Sequence, residues 1–242
     1  MKKKGVALHW ERLQRSWGRR FRELMLPKEY QRLGTRYGGW WVNVKSLPSK
    51  PLLIDCGLGE DVSFPVEFIK AFPGSKVVGV EPNPRSLNYC YKNCPKSMEI
   101  MEGAFWINNN ETIVFHLPRS IDDLPDGADG VSGSLHDSHD YVSGGDVIRV
   151  STIDLDSILL QLKNDQCDVL KLDIEGAEYE ILNQLTKNCK IKKVSQLLVE
   201  FHHGVTSHTI ADTNKVAKNI ISCGFDLIHT EDRNYIFHIS KW

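Results

Sequence analysis

Leu52-Leu53-Ile54-Asp55-Cys56-Gly57-Leu58-Gly59-Glu60-Asp61 begins as an apolar run and ends in a turn with two glycines. A short apolar run bounded by turn residues reads as a buried strand. Gly57 and Gly59 let the backbone turn sharply and come close to a ligand, because neither carries a Cβ. The next residues place apolar side chains at Val62, Phe64, Val66, Phe68, Ile69 and Phe72, a helical face that tolerates Pro65 in its first turn. Strand, glycine loop and helix open a nucleotide-type α/β fold, with the ligand at the carboxyl end of the strand. A dinucleotide fingerprint requires a third glycine, and Val62 stands in its place. Asp55, Glu60 and Asp61 would also repel a pyrophosphate. The acidic loop suits a ligand with a cationic centre and no phosphate.

Working outward, Lys76 to Val80 reads as a second strand, ending in Glu81-Pro82-Asn83-Pro84. Glu81 falls about twenty residues after the glycine loop, where a carboxylate accepts hydrogen bonds from ribose hydroxyls. Pro84 suits the first turn of a following helix. Met98 to Ala104 gives a third strand, and Gly103-Ala104-Phe105 forms a corner where an adenine would lie. A turn at Asn108-Asn109-Asn110 leads to another strand, Thr112 to Leu117. Residues 118–146 are the least regular and contain His136 and His139. Their composition predicts a substrate-facing loop. Loop histidines serve as general bases or metal ligands in some proteins and as neither in most. Thr152 is expected to cap a helix running through Leu162, with Asp154 near its positive end.

The second informative stretch is Asp168-Val169-Leu170-Lys171-Leu172-Asp173-Ile174-Glu175-Gly176-Ala177-Glu178-Tyr179-Glu180. A strand ending at Asp173 and a helix starting near Gly176 place Asp173 and Glu175 at the strand end that faces a ligand. Glu178 suits the positive end of the helix. Crowded carboxylates raise one another's pKa, which can make one a proton acceptor. Gln196 to Phe201 is a further strand, ending Glu200-Phe201-His202-His203. Glu200 and His202 share a face, and such polar groups on an apolar strand need partners or a cleft. A helix from Asp212 to Cys223 precedes strands at Asp226–His229 and Tyr235–Ile239, an antiparallel carboxy-terminal hairpin. The aromatic, glycine-rich segment from Leu33 to Trp41 reads as packing under a sheet edge or as a pocket wall.

The chain has 242 residues, 41% hydrophobic and 25% charged, which suits one α/β domain with an appendage. Its net charge of −1 conceals an asymmetry: residues 1–36 carry eleven basic residues against three glutamates, a net of +8. Within them Leu8, Trp10, Leu13, Trp17, Phe21 and Leu24 alternate with arginines as an amphipathic basic helix. We divide the chain into this extension, 1–36, and a domain at 37–242. The helix is expected to pack on the domain, to cover the substrate, or to meet an anionic partner such as a phosphorylated substrate, nucleic acid or membrane surface. Six scattered cysteines read as reduced, mostly buried thiols, hence a cytoplasmic protein. Cys90-x-x-x-Cys94 has no second pair at metal spacing. No apolar run is long enough to span a bilayer, and no secretory signal is evident.

The segments Leu53–Gly59, Val80-Glu81-Pro82, Thr152-Ile153-Asp154, Leu170–Glu178 and Val199–His202 together resemble the FkbM family of S-adenosylmethionine-dependent methyltransferases. The resemblance runs from about Tyr37 to Ile239, and Asp173-x-Glu175-Gly176-Ala177-Glu178 is its most specific part. It implies a Rossmann-like, seven-stranded class I methyltransferase sheet with helices on both faces. It implies methyl transfer to a hydroxyl of a sugar, polyketide or related small metabolite or glycan. Many members have an asparagine and a further glycine in the first loop, where this chain has Leu58-Gly59-Glu60-Asp61. On this reading S-adenosylmethionine is the cofactor. Asp55, Gly57 and Gly59 hold its methionine part, Glu81 its ribose, and Ala104 lies by its adenine. Asp173 is the first choice for base or acceptor orienter, with Glu175, Glu200 and His202 as neighbours. No metal is expected there. Two other classes fit less well: a nicotinamide-dependent oxidoreductase, and a catalytically silent cofactor-binding protein.

Overall fold

A computed structural model describes residues 26–120 and 130–240. The expected basic helix at 7–25 lies outside the described residues. Two short strands come first, β1 (Tyr30–Leu33) and β2 (Trp40–Asn43), paired antiparallel. The hairpin thus joins residues on both sides of position 37. The glycine-loop unit follows as β3 (Leu52–Cys56) and α1 (Ser63–Ala71). Then come β4 (Lys76–Glu81), α2 (Pro84–Asn93), β5 (Met98–Glu102), β6 (Ala104–Phe105), β7 (Thr112–Pro118) and β8 (Val142–Ile153). The last part holds α3 (Leu155–Leu162), β9 (Cys167–Leu172), α4 (Glu178–Lys187), β10 (Val194–Glu200), α5 (Ile210–Ser222), β11 (Phe225–Glu231) and β12 (Asn234–Ile239).

Seven strands form the central sheet in the order β11-β12-β10-β9-β3-β4-β5. The pairs from β10 through β9, β3 and β4 to β5 are parallel, and β12 runs against both β10 and β11. The seven strands and the antiparallel final hairpin match the sheet expected from the sequence, with the reversed strand next to the edge. All five residues of β3 are buried because both faces of the sheet are covered. Strand alternation sends Leu52, Ile54 and Cys56 into one core with Val78, Leu170 and Leu197. It sends Leu53 into the other, with Val77, Val169 and Phe68. Gln196 fixes the β1–β2 hairpin to the second face: its Oε1 accepts from the Asn43 N–H at 2.8 Å and its Nε2 donates to the Asn43 carbonyl at 3.0 Å.

Two expectations need correction. The stretch expected to be irregular up to residue 146 contains the start of β8, which pairs with β7 and β6 in a separate three-stranded sheet. Thr152 lies inside that strand. Asp154 is the cap of α3, its carboxylate accepting from the Ser157 N–H at 2.8 Å. The acidic residues of the first loop are also bound internally. Asp61 accepts from the Ser63 N–H and the Thr35 hydroxyl, and Glu60 makes a two-pronged ion pair with Arg85 at 2.7 and 3.0 Å.

Candidate active site

The sheet's chain order reverses between β3 and β9, and the loops after β3, β4 and β9 part there. A cavity of about 550 Å³ opens at those carboxyl ends. Gly57, Gly59, Glu81, Ala104, Asp173, Glu175, Glu200 and His202 all line it. Asp55 does not. It is buried beneath the floor, 3.0 Å from the Lys171 ammonium, its register partner on the neighbouring strand. Its carboxylate neutralises that lysine. Lys171 also donates to the Gly57 carbonyl and lies 3.9 Å from Asp173. Burial opposes its charge, but Asp55 and Asp173 outweigh burial and hold its pKa above the usual value.

The two glycines serve different ends. Gly57 has φ +80°, and a Cβ there would strike the Asp173 carbonyl, so this glycine lets β3 and β9 close on each other. Gly59 has φ +55°, and a Cβ there would meet only Val131 Cγ1 at 4.0 Å, so its bare side faces open space. Glu81 is buried at the end of β4. Its Oε2 accepts from the Leu58 and Gly59 N–H groups at 2.9 and 3.0 Å, and its Oε1 accepts from the Asn83 N–H at 2.8 Å. Burial raises its pKa, and the three N–H groups oppose that rise. Oε2 is filled, whereas Oε1 retains acceptor capacity for one further donor. A bare glycine cradle beside a carboxylate with one free acceptor position fits the ribose end of S-adenosylmethionine.

The far side of the cavity is a ring of alternating charge. His202 is buried, its Nδ1 3.1 Å from Glu178 Oε1 and its Nε2 3.2 Å from Glu175 and 3.5 Å from Asp173. Burial would lower its pKa, but Glu175 and Glu178 overcome this and push it up to about 10. His202 is therefore an imidazolium at neutral pH, donating through both nitrogens. Glu178 is fully buried and also accepts from the His202 and Gly176 N–H groups. His139 Nδ1 accepts from the Tyr141 N–H, which leaves Nε2 to donate to Glu175 Oε2 at 2.8 Å. Against its own burial, His202 and His139 hold the Glu175 carboxyl down at about 2. Glu175 sits at φ +54°, an uncommon conformation for a side-chain-bearing residue and one that often marks a functional corner. Asp173 differs: burial, with Glu200 nearby, raises its pKa to about 7. Glu200 is held by Arg233 Nη2 at 2.6 Å.

The site therefore brings together every expected residue except Asp55. Lys171, Arg233 and the buried partnerships of Glu178 and His139 were missed. Lys171 gave a signal, since a cation inside Val169-Leu170-Lys171-Leu172 must meet a carboxylate on an adjacent strand. His139 stood out only as a histidine in a substrate-facing loop, without its partner, and Arg233 gave no signal, because a loop brings it in.

A family model described as "Methyltransferase FkbM domain" matches residues 55–227. No curated protein matches the chain. Among solved structures, methyltransferase FkbM from Methylobacillus flagellatus KT is 16% identical, with 78% of this chain and 44% of that one covered and a TM-score of 0.47. The present chain thus spans less than half the length of that protein. A fibrillarin pre-rRNA processing protein from Methanococcus jannaschii is 12% identical (79% and 67% covered, TM-score 0.42). An Aeropyrum pernix fibrillarin in complex with natively bound S-adenosyl-L-methionine is 13% identical (79% and 67% covered, TM-score 0.39).

Proposed function

Because this chain belongs to the FkbM methyltransferase family, whose methyl donor is S-adenosylmethionine, we propose that it methylates a hydroxyl oxygen on a small metabolite or glycan. The observation that carries this reading is the pairing of two differently tuned halves around one cavity. One half is the Gly59–Glu81 cradle, and the other is the Asp173 carboxyl beside a charged His202.

When bound, S-adenosylmethionine supplies a methyl group made electrophilic by its sulfonium. Gly59 and the acceptor position on Glu81 Oε1 would hold the donor, with Ala104 on the same wall. The protein's remaining task is to position the acceptor oxygen and take its proton. His202 is poorly suited to be the base, since Glu175 and Glu178 on either side of its ring favour the protonated form. Asp173 is suited to it: with a pKa of about 7 it is partly ionised at neutral pH and basic enough to accept a proton. Glu175 stays ionised and pairs with His202 and His139, a fixed frame around Asp173. Arg233 and Glu200 bound the same wall. Six free thiols support a cytoplasmic setting, and no helix among the described residues is long and apolar enough to cross a membrane.

The test is Asp173→Asn, assayed with labelled donor across a panel of hydroxylated metabolites and glycans. A base role predicts turnover reduced by about 10²–10⁴-fold with donor affinity unchanged. Full turnover in the variant would remove Asp173 from the chemistry.

A further inference from the structure

Away from the cavity, three side chains from segments distant in sequence converge on one point. His136 comes from the loop between β7 and β8, Glu180 from the first turn of α4, and His208 from the loop before α5. His136 Nε2 lies 3.4 Å from Glu180 Oε2, and His208 Nε2 lies 3.8 Å from Glu180 Oε1. All three residues' facing atoms lie within 4.8 Å of one another. His136 Nε2, Glu180 Oε2 and His208 Nε2 are each buried atoms that, beyond these long contacts with one another, have no hydrogen-bond partner among the described residues. A buried polar atom without a partner is costly, and three facing one another need a common explanation.

We propose that His136, Glu180 and His208 form a binding site for a zinc-like divalent transition-metal ion. Two imidazoles and one carboxylate are a donor set for zinc and its neighbours rather than for calcium or magnesium, which take oxygen ligands. Zinc bonds of about 2.0–2.2 Å at tetrahedral angles place ligand atoms roughly 3.3–3.5 Å apart. The two nitrogen–carboxylate separations, 3.4 and 3.8 Å, are near that spacing, and with all three ligand atoms within 4.8 Å of one another the set closes on an ion by side-chain movement of about an ångström. The ligands are also held in place. The His208 ring stacks on Tyr179 with centroids 3.8 Å apart, and the Tyr179 hydroxyl is hydrogen-bonded to Thr213 at 2.8 Å. The His136 backbone N–H donates to the Ser134 hydroxyl, which in turn donates to the Glu175 carbonyl.

The ion's place in the fold gives it a role. His136 and Thr206 close over Gly176 so tightly that a Cβ there would lie 3.0 Å from each. A metal tying His136 and His208 to α4 clamps both loops over the Glu175–Gly176 corner. His139, which holds Glu175, lies on one of the clamped loops. The ion is a structural staple on the acceptor side and takes no part in proton transfer.

The test uses the full chain purified without chelator. Elemental mass spectrometry is expected to find about one zinc per chain. Stripping it with dipicolinate should lower Tm, and zinc chloride alone should restore it. Glu180→Gln and His208→Gln, each conservative enough to fold, should weaken zinc binding roughly tenfold or more, while Asp173→Asn should bind it normally. A cobalt-substituted protein should show the visible absorption of a low-coordinate nitrogen–oxygen site, lost in Glu180→Gln. If wild type binds neither zinc nor cobalt, or if Asp173→Asn abolishes binding and Glu180→Gln does not, the assignment is wrong and His136 and Glu180 are only an ion pair. S-adenosylhomocysteine binding, measured on the same samples, reports separately on the methyltransferase reading.

Discussion

His202 and its carboxylates set the energetics at the residue scale. Glu178 is fully buried against the His202 imidazole, so Glu178→Ala would remove one of its two close carboxylate partners and leave Nδ1 and the His202 N–H without an acceptor. The expected cost is about 3 kcal/mol, or roughly 6–12 °C in Tm, read by thermal denaturation. The pH dependence has a definite sign. The folded pKa of His202, about 10, exceeds its ordinary 6.5, so its stabilisation is complete below 6.5 and is lost as pH rises towards 10. Glu175, at about 2 against 4.5, stabilises above 4.5 and loses its effect as pH falls towards 2. Asp173, at about 7 against 3.8, works the other way: its ionisation costs stability increasingly from 3.8 to 7. Asp173→Asn is therefore expected to raise Tm relative to wild type at pH 8, but not at pH 3.5, even as it removes turnover. Wild-type kcat/KM should rise through about pH 7 and fall through about pH 10, and a flat profile would contradict these assignments. Much of this residue chemistry was legible: Asp173, Glu175, Glu200 and His202 stand at strand ends, and periodicity finds strand ends. The exceptions are informative. Asp55 stands in the motif but below the cavity, where its register partner across β3 and β9, Lys171, pairs with it.

At the scale of elements, Gly57 is the tightest point. Gly57→Ala places a Cβ into the Asp173 carbonyl at a positive φ. It should cost about 3 kcal/mol or more through overpacking and backbone strain. Gly59→Ala meets no such neighbour and should fold with only the smaller cost of a positive φ, while obstructing the donor's approach. Comparing the two by Tm and by donor affinity separates a packing glycine from a binding glycine. The helices and parallel strands were readable because apolar periodicity encodes them directly. β8 was not. It opens with Val142-Ser143-Gly144-Gly145, and glycines give a strand no side chain through which alternation can show. With the strand unseen, Thr152 took the place of Asp154 as the expected cap. Asp154→Ala should cost about 1 kcal/mol of stability.

For the whole molecule, the order β11-β12-β10-β9-β3-β4-β5 explains why residues from the entire chain meet at one rim. Parallel strands all end on the same side, and the reversal between β3 and β9 leaves a gap there. The sheet was legible from its strands, glycine turns and final hairpin. The balance of charge was not. The rim reads as acidic in sequence, yet Lys171, His202 and Arg233 match most of its carboxylates in space. Calorimetric titration of wild type and Glu81→Ala with S-adenosylhomocysteine, alongside NAD⁺, tests the central claim most directly. Saturable binding of S-adenosylhomocysteine alone is expected, weakened roughly tenfold or more in Glu81→Ala by the loss of a charged hydrogen-bond acceptor. Binding of NAD⁺ in its place, or no binding of S-adenosylhomocysteine by the wild type, would contradict a methyl-donor site at this rim.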